Sequence, residues 1–108
     1  MSKATYWQRG ESLDYVNGTT AVIEANTIID LGTRIGVAGT SINPGEKGSL
    51  HVTGVYEIAK TGTEEIAMGA AVYFDGTGIT NATGGTLAGY AAETSAAGAS
   101  VILVKLQG

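Results

Sequence analysis

Glycine recurs so often along this chain, 17 times in 108 residues, that no window is left in which a long helix would be stable. Each helix-interior glycine costs about 1 kcal/mol relative to alanine. No window carries a sustained i, i+3, i+4 apolar pattern either. Between the glycines lie short β-branched and aromatic runs, the mark of strands joined by tight turns. The spacing predicts strands over residues 13–16, 19–24, 27–31, 34–38, 48–53, 55–59, 70–75, 79–80, 86–92 and 100–106. Asn17-Gly18 reads as a type I′ hairpin turn, Pro44-Gly45 as a turn tip solvated by Glu46 and Lys47, and Gly54 as a β-bulge. The expected fold is all-β: a small antiparallel barrel or two-layer sandwich of about eight or nine short strands. One domain over residues 9–108 accounts for the length, preceded by an arm over residues 1–8.

An internal echo bears on the architecture. Gly36-Val37-Ala38, then Gly45 and Ser49-Leu50-His51-Val52, is repeated in outline by Gly89-Tyr90-Ala91, then Gly98 and Ser100-Val101-Ile102-Leu103. Ile28-Ile29-Asp30-Leu31-Gly32 loosely mirrors Val72-Tyr73-Phe74-Asp75-Gly76. Two related strand–loop–strand units would give a pseudo-symmetric body. Coincidence in a chain rich in glycine and alanine is the competing explanation.

Composition narrows the function. The net charge is −4, and the six bases, Lys3, Arg9, Arg34, Lys47, Lys60 and Lys105, are spread from end to end. Nucleic-acid binding needs clustered cations that displace counterions from phosphates, so neither nucleic acid nor an anionic membrane is an expected partner. There is no cysteine, which removes disulfides, thiolate metal sites and thiol nucleophiles. The first residues have no apolar segment of the signal-peptide kind, and the longest apolar stretch, residues 66–74, is far below the ~20 residues that span a bilayer.

Chemistry is hard to place. His51 is the single histidine, and strand alternation sets it opposite Leu50 and Val52 as an exposed residue. A serine hydrolase or a common zinc site would need more than this. Gly76-Thr77-Gly78 lacks the lysine and following helix of a phosphate loop and reads as a turn. Glu64-Glu65 reads as a solvated loop. Neither catalytic residue, metal nor cofactor is expected, and an enzyme is the weakest of the readings.

Two features suggest contact instead. Tyr6 and Trp7, the only tryptophan, stand in an otherwise polar leading segment with Gln8 and Arg9. They either fold back over the core or anchor the arm on a partner, since Trp and Tyr dominate interface hot spots. Tyr6, Trp7, Gln8 and Arg9 are accordingly the candidate partner or subunit contacts. Val101-Ile102-Leu103-Val104 puts two apolar residues on each face of a strand, which calls for a central strand or a subunit interface.

Several segments, in order, resemble a family of tailed-bacteriophage capsid cement or decoration proteins of about this length. They are Gln8-Arg9-Gly10-Glu11, Gly32-Thr33-Arg34-Ile35-Gly36-Val37-Ala38, Gly54-Val55-Tyr56-Glu57-Ile58-Ala59-Lys60 and Gly69-Ala70-Ala71-Val72-Tyr73-Phe74-Asp75. Thr86-Leu87-Ala88-Gly89-Tyr90-Ala91 and Ala96-Ala97-Gly98 follow, leading to Val104-Lys105-Leu106-Gln107-Gly108. The resemblance runs from about Tyr6 to Gly108. It implies a structural protein on the outside of the expanded phage head, made in the host cytoplasm and often trimeric, with the major capsid protein as partner. It brings no catalytic motif. The reading kept beside it is a small β-barrel binding module, tail-associated or carbohydrate-binding.

Overall fold

The computed structural model describes residues 2–6 and 10–106, with nine strands in two antiparallel sheets and no helix among them. The first sheet holds β1 (Ser12–Val16), β2 (Ile28–Asp30), β3 (Ile35–Ala38) and β4 (Lys47–His51), in the order β1-β4-β3-β2. The second holds β5 (Val55–Ala59), β6 (Ala71–Phe74), β7 (Ile79–Thr80), β8 (Thr86–Ala91) and β9 (Val101–Leu106), in the order β5-β9-β8-β6-β7. Its extents are 42 × 42 × 21 Å, a flattened body.

With β7 set aside, the two orders are one connectivity: first strand, last, third, second. The match reaches individual hydrogen bonds. Asn26 N donates to Ala38 O at 2.7 Å, and Gly69 N to Ala91 O at 2.8 Å. Both donors have positive φ, 72° at Asn26 and 89° at Gly69, a left-handed turn that Asn and Gly tolerate best. Val52 N donates to Glu11 O and Leu106 N to Gly54 O, at 3.0 and 2.9 Å. The isolated bridges Ile23–Ile42 and Ile66–Ser95 fall at matching places. The repeated unit is thus a four-stranded half, larger than the echo read from the sequence. The register of that echo also shifts: Leu50 corresponds to Val104, since these residues pair with Ala38 and Ala91 respectively.

Two sequence expectations change, and one left open is resolved. Asn17-Gly18 is no hairpin turn, because β1 pairs with β4 and residues 19–24 form no strand; the Asn17 side chain is turned inward to hold backbone. Gly54, at φ 114°, is the crossing between the sheets, since β4 and β5 belong to different ones. The register shift lies instead between Val72 and Tyr73, against β8. Of the two readings of residues 101–104, the central strand holds: β9 lies between β5 and β8, with Ile102, Val104 and Leu106 buried on one face and Val101 exposed on the other.

The main core is lined by Ile58, Ile66, Val72, Ile79, Ala88, Ala91, Ile102, Val104 and Leu106 of the second half, with Ile35 and Val37 of β3 added from the first. Each fully buried aliphatic side chain of this size stabilises the fold by about 1.5–3 kcal/mol. One parallel bridge, Lys60 to Ile79, with Thr61 N donating to Ile79 O at 2.9 Å, ties the two edges of the second sheet at one corner. No ladder closes the nine strands into a single barrel. At this corner the backbone comes close: a Cβ on Gly78 would stand 2.7 Å from Ala59 O, so only glycine fits. The first half buries a smaller set, Ala38, Ile42, Leu50 and Val52, with Leu50 lying over Gly36.

Candidate interaction surface

The polar groups inside the body are structural latches. Asn17 is fully buried. Its Nδ2 donates to Ala21 O at 2.8 Å and Ile42 O at 2.9 Å, while its Oδ1 accepts from Thr19 N at 2.9 Å and Thr19 Oγ1 at 2.6 Å. Lys60 takes the equivalent place at the end of β5: its Nζ donates to Ser95 Oγ at 3.0 Å and Ala96 O at 2.9 Å. The backbone N of each also bonds across to the last strand's approach, Asn17 to Glu46 O and Lys60 to Ser100 O, both 2.9 Å. Each half therefore pins its second long loop with one buried side chain. The sequence signal was a polar residue directly after a strand, but the same signal marks ordinary turns.

Two carboxylates, Asp30 and Asp75, are engaged in turns. Asp30 accepts from Gly32 N at 2.8 Å and, through both oxygens, from Thr86 Oγ1 at 2.8 and 2.9 Å, a contact that joins the two sheets. Asp75 Oδ1 accepts from Thr77 N and Gly78 N, each 2.9 Å. Together with Phe74 and Gly84 they line an open cleft of about 640 Å³. Backbone N–H donation from Gly78 and then Thr77, opposed by desolvation and helped by the Thr61 hydroxyl, holds the Asp75 carboxyl below its ordinary value of 3.8. A carboxylate lowered in the folded state stabilises it above the ordinary pKa, and that contribution disappears as the pH falls through the folded value. Side-chain carbonyl NMR is expected to show Asp75 titrating below 3.8. The stability advantage of the wild type over Asp75→Asn should shrink across the same acid range. An ordinary Asp75 midpoint would show that the turn does not hold the carboxylate.

Among the described residues, no three His, Asp or Glu side chains gather where a metal ion could be held. Glu64 and Glu65 are exposed. His51 departs from its expected exposure: it is half-buried, with its imidazole over Gly39, whose missing side chain leaves the space. Of the four candidate contact residues, Tyr6 is 82% exposed, and Trp7, Gln8 and Arg9 lie outside the described residues.

What the body does offer is an outward sheet face. Register places Val55 beside Lys105, Lys105 beside Tyr90, and Tyr90 beside Ala71 across β5, β9, β8 and β6. Glu57 with Leu103 and Ala59 with Val101 continue the same face. Val55, Tyr90 and Val101 are all exposed on it, so apolar groups outnumber the charges of Glu57 and Lys105. Sequence reading caught one strand of this face, residues 101–104, but not its neighbours, which strand order alone brings together.

A turn-rich body of two antiparallel sheets, with Asp30 and Asp75 held in turns and apolar groups exposed on an outer face, falls in the class of all-β proteins. Within that class the chain belongs to the phage cement protein family, whose model matches residues 7–106, nearly the whole chain. It is a structural protein of bacteriophage, as the resemblance read from the sequence implied. No curated protein and no solved structure matches the chain.

Proposed function

We propose that this protein binds the outer surface of the expanded phage head and stabilises the shell by bridging capsid subunits. The family match over residues 7–106 carries the reading. The exposed apolar face and flattened shape support it, because a plate with one sticky side covers more than one neighbour. The physics is mechanical: packaged DNA pushes outward, and a molecule attached to several subunits raises the cost of separating any one of them. A homotrimer would multiply weak patches, since later contacts act at high effective concentration. In this proposal residues 1–8 form an arm distinct from a domain over 9–108, and Tyr6, Trp7, Gln8 and Arg9 touch the major capsid protein or a neighbouring subunit.

The test is cosedimentation of purified protein with expanded, undecorated heads, scored for saturation stoichiometry and for the heat resistance of the loaded heads. Saturable binding that raises the temperature of head disruption is the expected result. If the protein binds neither compact nor expanded heads, the cement reading is wrong and a soluble-ligand binding module takes its place.

A further inference from the structure

The two sheets leave a slot between one edge of each. Asn26, Ile28 and Val37 line one side and residues 56–59 the other, around a space of about 420 Å³. Ile28 and Tyr56 pack on the core, giving the slot an apolar floor, while Asn26, Glu57 and Thr77 make its rim polar.

Both walls are edge strands with unspent backbone groups. In β2, Thr27 O and Leu31 N bond to the β3 side, so antiparallel alternation turns the peptide groups of Ile28 and Asp30 away from it. In β5, Lys60 N bonds to Ser100 O and Gly54 O receives Leu106 N, so those of Val55 and Glu57 face away from β9 in the same manner. An edge of this kind is a template for another strand. The four residues 56–59 run for about 13 Å at about 3.3 Å per residue, room for a short extended segment.

The chain also carries a segment of matching character. Residues 2–6 are exposed throughout and belong to no sheet. Alternation in an extended segment would put Lys3 and Thr5 on one side and Ala4 and Tyr6 on the other. Charge is divided the same way: residues 1–9 hold Lys3 and Arg9 and no acid, leaving 4 bases and 10 acids in the remainder, or −6. Glu57 stands exposed at the rim of the slot.

We propose that the slot between β2 and β5 receives residues 2–6 of a second copy of the chain, added as an extended strand with Lys3 against Glu57. This deepens the contact role proposed for the arm and does not rest on head binding. It makes the copies grip one another through an exchanged arm, so that assembly joins the two sheets of each copy across their gap.

The chain's only tryptophan, Trp7, supplies the probe. A full-length chain carrying Lys3→Glu and Trp7→Phe has no tryptophan and a weakened arm of its own. A synthetic peptide of residues 1–9 then reports its binding by tryptophan anisotropy. Saturable binding is expected, weakened about two- to five-fold, the range of a cross-strand ion pair, by Glu57→Lys made with Lys3 retained, so that the chain's own arm stays mismatched. A Lys3→Glu peptide should regain that loss on the Glu57→Lys chain. No saturation, or binding indifferent to both charge reversals, would overturn the proposal. So would a peptide that binds expanded heads but not the chain, which would assign the arm to the capsid and leave the cement reading standing.

Discussion

Asn17→Ala is expected to lower stability by about 3 kcal/mol, because it removes four hydrogen bonds of a fully buried side chain, each worth about 0.5–1.5 kcal/mol net. Ala21 O keeps a donor in Thr19 Oγ1 and Ile42 O one in Ile23 N, so neither carbonyl is orphaned and the loss stays near about 3 kcal/mol. In a domain of this size that is a fall in melting temperature of roughly 10–20 °C, readable by circular dichroism. Lys60→Met at the equivalent place should cost far less, about 1 kcal/mol or below. Removing a buried cation relieves a desolvation cost while the aliphatic stem is kept, and Ser95 Oγ still donates to Val101 O at 3.2 Å. Equal losses from the two substitutions would show that the latches matter only for the volume they fill.

Ile79→Ala should be the other severe change. Ile79 is completely buried on a strand of just two residues, and it belongs to the bridge that ties the edges of the second sheet. Truncating a buried isoleucine costs about 2–5 kcal/mol, toward the upper end where the surroundings cannot collapse. Here the close backbone approach of Gly78 to Ala59 blocks collapse. Against a total stability of about 5–15 kcal/mol, a large share of the chains would unfold in mild urea. A shift in the urea midpoint equivalent to less than 1 kcal/mol would mean that this corner is not part of the cooperative core.

Local order was legible in the residues; long-range pairing was not. The runs at 55–59, 79–80 and 100–106 were read within a residue of β5, β7 and β9 because alternation and turn glycines are local signals. Asn17-Gly18 misled for the same reason. A hairpin reading assumes that a strand pairs with the next one, whereas β1 waits for β4. The echo of Gly36 to Ala38 in Gly89 to Ala91 pointed correctly to equivalent strands, but its later part slipped because the matching loops differ in length. Of the interaction surface, Val101 to Val104 announced a two-faced strand, while its partners Val55 and Tyr90 depend on strand order. The slot between β2 and β5 left no trace in the sequence, since it exists only where edges of two different sheets come together.

The connectivity shared by the halves has a kinetic consequence. In each, the opening strand finds its partner only in the closing one, Ser12 against His51 and Val55 against Lys105. Loop closure must therefore precede most of the enthalpic reward, which places such a chain among the slower β folders, on the millisecond-to-second scale. Until synthesis reaches β9, β5 has no partner along either edge and is open to pairing with other nascent chains. Yield from overexpression should then be governed by the rate of synthesis and by temperature more than by the stability of the finished protein.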